Sequence, residues 1–149
     1  MQPGPVNRPS MEEWKPFPLA PRYEISTHGR IRKVRHGKPP SPIRVFDDNN
    51  GYLCTRLVVD GYRKFYRVHR LVALTWLGPP PTPEHSDVAH ADGNGCNNQL
   101  SNLRWATRSE NYSDKIAHSR RNRQLANSPQ HLVIEIRIFH NGKEVTCPD

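Results

Sequence analysis

The chain has 149 residues, a formal charge of +8 and a mean hydropathy of −0.83, with 34% hydrophobic residues. A chain of this size and polarity builds one modest core or two small modules. Its longest strongly apolar stretch, residues 71–77, falls far short of the roughly 20 residues a membrane helix needs, which excludes a membrane span, a large multidomain enzyme and a long coiled coil.

The charge is uneven. Residues 1–75 carry 14 Lys and Arg against 6 Asp and Glu, whereas residues 76–149 carry 8 of each. A polyanion is the natural partner of the first half, nucleic acid ahead of an acidic membrane surface.

Residues 1–11 are Pro-rich, lack the apolar core of a secretory signal and are expected to be disordered. A first folded piece runs from Trp14 to Val34. Residues 35–42 read as a loop, because a glycine and three prolines interrupt any regular ladder. Two strand-like runs within residues 51–68 are joined by Asp60-Gly61, the signature of a type I′ hairpin turn. On the first run Leu53, Thr55, Leu57 and Val59 share a face, opposite Cys54, Arg56 and Val58. On the second, Arg63, Phe65 and Arg67 oppose Tyr62, Lys64, Tyr66 and Val68, so basic side chains on this ribbon can follow phosphates. The spacing of Val68, Leu71, Val72 and Trp76 predicts a helix that Gly78 and the following prolines stop.

Residues 91–100 are dense in Gly and Asn and predict tight turns. Residues 103–106 follow as a short strand. Thr107 and Glu110 have the spacing of a capping box, predicting a helix from about residue 108 to about 121. From Ser128 the tail carries both signals. Leu132, Ile134, Ile136 and Ile138 alternate as in a strand, while Ser128-Pro129 and Gly142 punctuate a helix, and the helix is slightly favoured. Cys54, Cys96 and Cys147 form no C-x-x-C pair, so packing is their default role and no structural zinc is expected.

His90, Asn102 and Asn111 stand out in one block. His90 ends a strand before the Gly/Asn loop, which returns through a second strand to a capped helix with Asn111 in its first turn. That places an imidazole and an amide oxygen beside a small pocket. Phosphodiester hydrolysis uses such groups: a neutral imidazole takes a proton from water near pH 7, and a hard cation on oxygen ligands neutralises charge on the leaving oxygen.

The stretch V-H-R-L-V-A-L-T-W-L followed by H-A-D-G-N-G-C-N-N-Q-L-S-N-L-R-W-A-T-R-S-E-N closely resembles the HNH endonucleases, the ββα-metal or His-Me finger group of homing and phage nucleases, over roughly residues 51–115. Upstream, E-E-W-K-P-F and Y-E-I-S-T-H-G-R-I-R-K, within residues 12–33, resemble the NUMOD4 module that often precedes HNH domains. The resemblance implies that His90 is the general base, that Asn102 holds the loop between the strands, and that Asn111 ligates a divalent metal ion, Mg²⁺ ahead of Mn²⁺. His69 matches a recurrent histidine with a structural or phosphate-contacting role, the structural one favoured. Many relatives carry Asp or Asn directly before the catalytic histidine as a second metal ligand; here that residue is Ala89.

The expected fold is α+β: a disordered start at 1–11, a NUMOD4-like β module at 12–45, a hairpin and ββα-metal nuclease core at 46–121, and a tail at 122–149 like a truncated helical DNA-binding element. The expected function is metal-dependent nicking of double-stranded DNA by a cytoplasmic monomer or weak dimer, in a bacterium or phage-infected host, with no membrane partner. Ala89 admits a second reading, a DNA-binding protein with a degenerate HNH site. Candidate DNA contacts are Arg30, Arg32, Lys33 and Arg35 in the first module, Arg56, Arg63, Lys64, Arg67, His69 and Arg70 around the hairpin and helix, and Arg104. The first 75 residues are expected to do most of the gripping and residues 88–115 the cutting.

Overall fold

A computed structural model describes residues 11–126, 138–140 and 143–145. The fold is α+β and every strand pairing in it is antiparallel. Strands β1 (Trp14–Phe17), β2 (Ala20–Ser26), β3 (Ile31–Arg35) and β4 (Lys38–Pro42) form one sheet in chain order. The segment read as a loop therefore contributes a strand. Its prolines are tolerated because β4 lies at the edge of the sheet, where a missing N–H costs no ladder bond. The expected disorder before residue 11 lies outside the described residues.

Strands β5 (Phe46–Asp47), β6 (Leu53–Val59) and β7 (Tyr62–Arg67) form a second sheet. The turn between β6 and β7 has φ of 53° at Asp60 and 80° at Gly61, the two positive values a type I′ turn requires. The alternation along β6 holds: Leu53, Thr55, Leu57 and Val59 are buried and Arg56 is exposed. Cys54, on the other face, is buried as well, and burial pushes its thiol up to about 11. Helix α1 (Val68–Val72) continues as a π-helical turn over Ala73–Leu77 and stops at Gly78, where φ is 80°.

Strands β8 (Asp87–His90) and β9 (Leu103–Ala106) pair with His90 opposite Leu103 and Ala89 opposite Arg104. Helix α2 (Arg108–Ala126) follows, longer than predicted. Its capping box forms as read: Glu110 N–H donates to Thr107 Oγ1 at 3.2 Å, and Thr107 N–H donates to Glu110 Oε2 at 2.8 Å. In the tail, β10 (Ile138–His140) and β11 (Lys143–Val145) form an antiparallel pair rather than the favoured helix. Of the residues that carry the two signals only Ile138 is described; Ser128, Pro129, Leu132, Ile134, Ile136 and Gly142 lie outside the described residues. Residues 127–137 lie outside the described residues.

One core joins the sheets. Phe17, Tyr23, Ile25 and Ile31 of the first sheet pack in the same cluster as Leu53, Leu57 and Val59 of β6, Val68, Leu71 and Val72 of α1, and Val88 and Leu103 of the β8–β9 pair. Polar links run alongside it: Trp76 Nε1–H donates to Ile25 O at 3.2 Å, and Val58 N–H donates to Tyr23 Oη at 3.2 Å.

Candidate active site

Asn102 sits in a 3₁₀ turn (Leu100–Asn102) directly before β9. Its Oδ1 accepts from Asp92 N–H at 3.0 Å, and its Nδ2 donates to Asp92 Oδ1 at 3.0 Å and to Asn97 O at 2.9 Å. One amide thus ties both ends of the Gly/Asn loop, the loop-holding part expected of it. Asn111, in the first turn of α2, reaches back to β8: its Nδ2 donates to Asp87 Oδ2 at 3.1 Å, which leaves Oδ1 as its acceptor atom.

Asp87 and Asn111 line a cleft of about 550 Å³ together with Tyr52, Arg67, His69, Arg70 and Lys115. Three cations and a carboxylate–amide pair on one concave wall suit a phosphodiester. The hard oxygens of Asp87 and Asn111 also fit a small divalent cation that keeps most of its water. No cluster of three or more His, Cys, Asp or Glu that could hold a metal occurs among the described residues.

His90 packs against two of the lining residues, Tyr52 and His69. It is 8% exposed, and its ring meets His69 edge-on at 5.0 Å and Tyr52 at 6.1 Å between centroids. Tyr52 in turn packs edge-on against His69 at 5.3 Å and lies under the Arg67 guanidinium at 4.5 Å. Arg67 is anchored to Asp48 at 3.2 Å. Burial works against the Asp48 carboxylate, but the N–H groups of Asn50 and Tyr52 and the Arg67 charge together hold it below its ordinary range. On the far side of His90, Nε2 lies 3.2 Å from Asn98 Oδ1.

Both imidazoles are held neutral. Burial lowers His90 below the ordinary value, against smaller opposing effects of the Asn98 hydrogen bond and the Asp92 charge. Burial, reinforced by His90, Arg67 and Arg70 and opposed by Asp48, brings His69 from 6.5 down to about 3. An unfolded chain takes up a proton on His69 near 6.5, which the folded chain refuses until about 3. This contribution to stability is therefore complete above the unfolded value and lost as the pH falls from there. By about pH 4.5 the loss from His69 alone should be on the order of 2–3 kcal/mol. Urea midpoints at neutral and mildly acid pH check this. The drop should shrink in His69→Gln, and an equal drop in that variant would contradict it.

The remaining candidate DNA contacts are scattered. Arg30 pairs with Glu12, and Arg32 pairs with Glu24 at 2.6 Å and lies over Trp14 at 4.1 Å. Lys33 stands 6.0 Å from the Tyr23 ring, and Arg35 is exposed at the end of β3. Arg56 stacks on Phe46 at 5.1 Å, Arg63 is exposed on β7, and Lys64 lies 3.5 Å from Asp60. Arg70 donates to Ser86 O at 2.8 Å. Arg104 binds Asp114 at 2.6 Å and lies 3.9 Å from Glu110. Of the whole set only Arg67, His69 and Arg70 line the cleft.

Sequence reasoning missed Asp87, Asn98 and Lys115. Asp87 was findable, since it shares a strand face with Ala89, two residues on. Lys115 was findable too, four residues beyond Asn111 on one helix face. Nothing in the sequence distinguished Asn98 from the other asparagines of its loop.

The fold and the site together define a ββα arrangement: a histidine-ended strand, an Asn-pinned loop, a return strand and a capped helix that brings an asparagine back over the first strand. A family model described as HNH endonuclease matches residues 66–112, and the NUMOD4 motif matches residues 12–58. The chain is 36% identical over 106 residues to an uncharacterized HNH endonuclease of Acanthamoeba polyphaga mimivirus, covering 71% of this chain and 30% of the relative. It is 31% identical over 106 residues to DNA endonuclease I-HmuI of Bacillus phage SP01, covering 70% of this chain and 58% of the relative. It thus spans between about a third and three fifths of these relatives' lengths. A solved structure described as DNA binding and cleavage by the HNH homing endonuclease I-HmuI superposes with a TM-score of 0.59 at 29% identity, covering 76% of this chain and 66% of that one. Residues 66–112 thus carry an HNH endonuclease motif, with a NUMOD4 motif ahead of it at residues 12–58. No helix among the described residues is long and apolar enough to cross a membrane.

Proposed function

We propose that this protein is a metal-dependent DNA endonuclease that nicks one strand of a duplex, with His90 as general base. The observation that carries this reading is the cleft itself. Arg67, Arg70 and Lys115 line the cleft with the Asp87–Asn111 pair and His69, and His90 packs edge-on against the His69 ring. In this reading Arg67, Arg70 and Lys115 hold the scissile phosphate and screen its charge. Asp87 and Asn111 would hold the cation, Asp87 supplying the carboxylate that Ala89 does not. Mg²⁺, or Mn²⁺ in its place, would when bound supply charge neutralisation at the phosphate. His90, neutral near pH 7, takes a proton from the attacking water, whose oxygen bonds to phosphorus; the bond to the 3′-oxygen breaks, and that oxygen takes a proton from solvent. The products carry 5′-phosphate and 3′-hydroxyl ends. The basic residues of β3, Arg32, Lys33 and Arg35, and Arg56 and Arg63 of the hairpin supply affinity along the backbone.

Two measurements test the chemistry. Nicked product should be resealed by DNA ligase, which joins only a 5′-phosphate to a 3′-hydroxyl; nicks that ligase cannot seal would contradict the proposed bond cleavage. Asp87→Ala and Asn111→Ala should each weaken Mn²⁺ binding, followed by electron paramagnetic resonance, by about tenfold or more. Unchanged binding in both would place the cation elsewhere.

A second reading, DNA binding without cleavage, is favoured by Ala89, a buried methyl where the resemblance implies that many HNH endonucleases carry a ligand, and by the low exposure of His90.

A further inference from the structure

Asn98 is 4% exposed and sits in the Gly/Asn loop eight residues beyond His90. Its amide orientation is set by the carbonyl of Cys96. Nδ2 faces Cys96 O at 3.4 Å, an acceptor, so Oδ1 is the atom turned to His90 Nε2 at 3.2 Å. A carbonyl oxygen can only accept, so the imidazole must donate, and Nε2 carries the proton of the neutral ring. The lone pair is then on Nδ1, the only nitrogen left to act as a base. Had the amide been turned the other way, Nε2 would accept, and the proton would sit on Nδ1 and block it.

The loop that carries Asn98 is braced by the first module. Leu100 N–H donates to Thr27 O at 2.8 Å. Gly29 approaches so closely that a Cβ there would lie 2.8 Å from Asn98 Cβ and 2.9 Å from Asn98 O, and its φ of +78° is itself a glycine conformation. The turn at residues 26–29 is closed internally: Arg30 N–H donates to Ser26 Oγ at 2.9 Å, and Gly29 N–H donates to Ser26 O at 3.1 Å.

We propose that Asn98 is a positioning residue that keeps the His90 proton on Nε2, and that the turn at residues 26–29 of the NUMOD4 segment holds Asn98 in that place. The segment thereby acts on the hydrolytic site as well as on DNA. This rests on His90 being the base, but the proton's position is read without any cleavage, so the two can fail separately.

The experiment is nitrogen-15 NMR of the imidazoles in the full chain at about pH 7.5, with the His90 signals identified by their loss in His90→Gln. In the unmodified chain His90 should show a protonated Nε2 and a bare Nδ1. Asn98→Leu removes the acceptor at similar size, and should move both shifts toward the averaged values of an exchanging ring. Its kcat for nicking should fall by about 100-fold, the lower end of a general base's contribution, with KM for DNA within about twofold. Asn98→Asp keeps an acceptor and should keep the Nε2 proton. Gly29→Ala should reproduce the averaged spectrum. A bare Nε2 in the unmodified chain overturns the proposal even if Asn98→Leu fails to fold. A folded Asn98→Leu with an unmoved spectrum overturns it as well. An unmoved spectrum in Gly29→Ala overturns the part assigned to the turn. A correct spectrum in a chain that cleaves no DNA leaves the positioning claim standing and sinks the nuclease reading.

Discussion

A chain lacking residues 1–45 will not form the nuclease core. The deletion removes Phe17, Tyr23, Ile25 and Ile31 from a cluster that also holds Leu57, Val68 and Leu71. Burial of each such side chain contributes about 1.5–3 kcal/mol, and four together rival the roughly 5–15 kcal/mol by which a domain is stable. The acceptors of the Trp76 indole and of Leu100 N–H leave with them. Circular dichroism and urea titration of the fragment should show no cooperative transition. A cooperative transition near that of the whole chain would mean that the second half folds alone. Gripping and cutting therefore cannot be assigned to separate halves by truncation, and the point substitutions Lys33→Ala and Arg35→Ala are the cleaner probe of the first sheet.

The other large effect is at His90. His90→Ala should lower nicking by two to four orders of magnitude, about 10²–10⁴-fold, the contribution of a positioned general base. DNA affinity should change little, because His90 is 8% exposed and outside the cleft lining. Single-turnover cleavage at saturating enzyme separates the two quantities. The unmodified chain should also hold its rate below the pH at which a free imidazole protonates, since burial lowers His90. An acid limb centred above the ordinary imidazole value would contradict that.

Local chemistry made much of this legible in the sequence. Asp60-Gly61 set the hairpin, Thr107 and Glu110 set the start of α2, and the alternation of Leu53, Leu57 and Val59 set the buried face of β6. The block from His90 to Asn111 disclosed its own architecture, because a loop of that composition must turn back and a capped helix must follow. Two elements were misread because their signals depend on surroundings. Prolines in residues 38–42 break a central strand but not an edge strand, and nothing local says which β4 is. The tail carried helix punctuation and strand alternation at once, and over residues 138–140 and 143–145 β10 pairs with β11. The site was legible as residue types but not as contacts. That Arg104 is spoken for by Asp114, that Asp87 meets Asn111 and that Asn98 meets His90 depend on long-range packing that sequence spacing does not encode.

Cleavage of DNA by His90 with a divalent cation, as proposed, has a direct test. The direct measurement incubates the full chain with supercoiled plasmid and Mg²⁺ or Mn²⁺, beside a chelator control and His90→Ala. Open-circular product should appear before any linear form, disappear with chelator and be lost in the variant. Supercoiled plasmid left intact, yet retained by the protein in a salt-sensitive manner, would contradict the proposed cleavage and leave a DNA-binding protein with a silent HNH site.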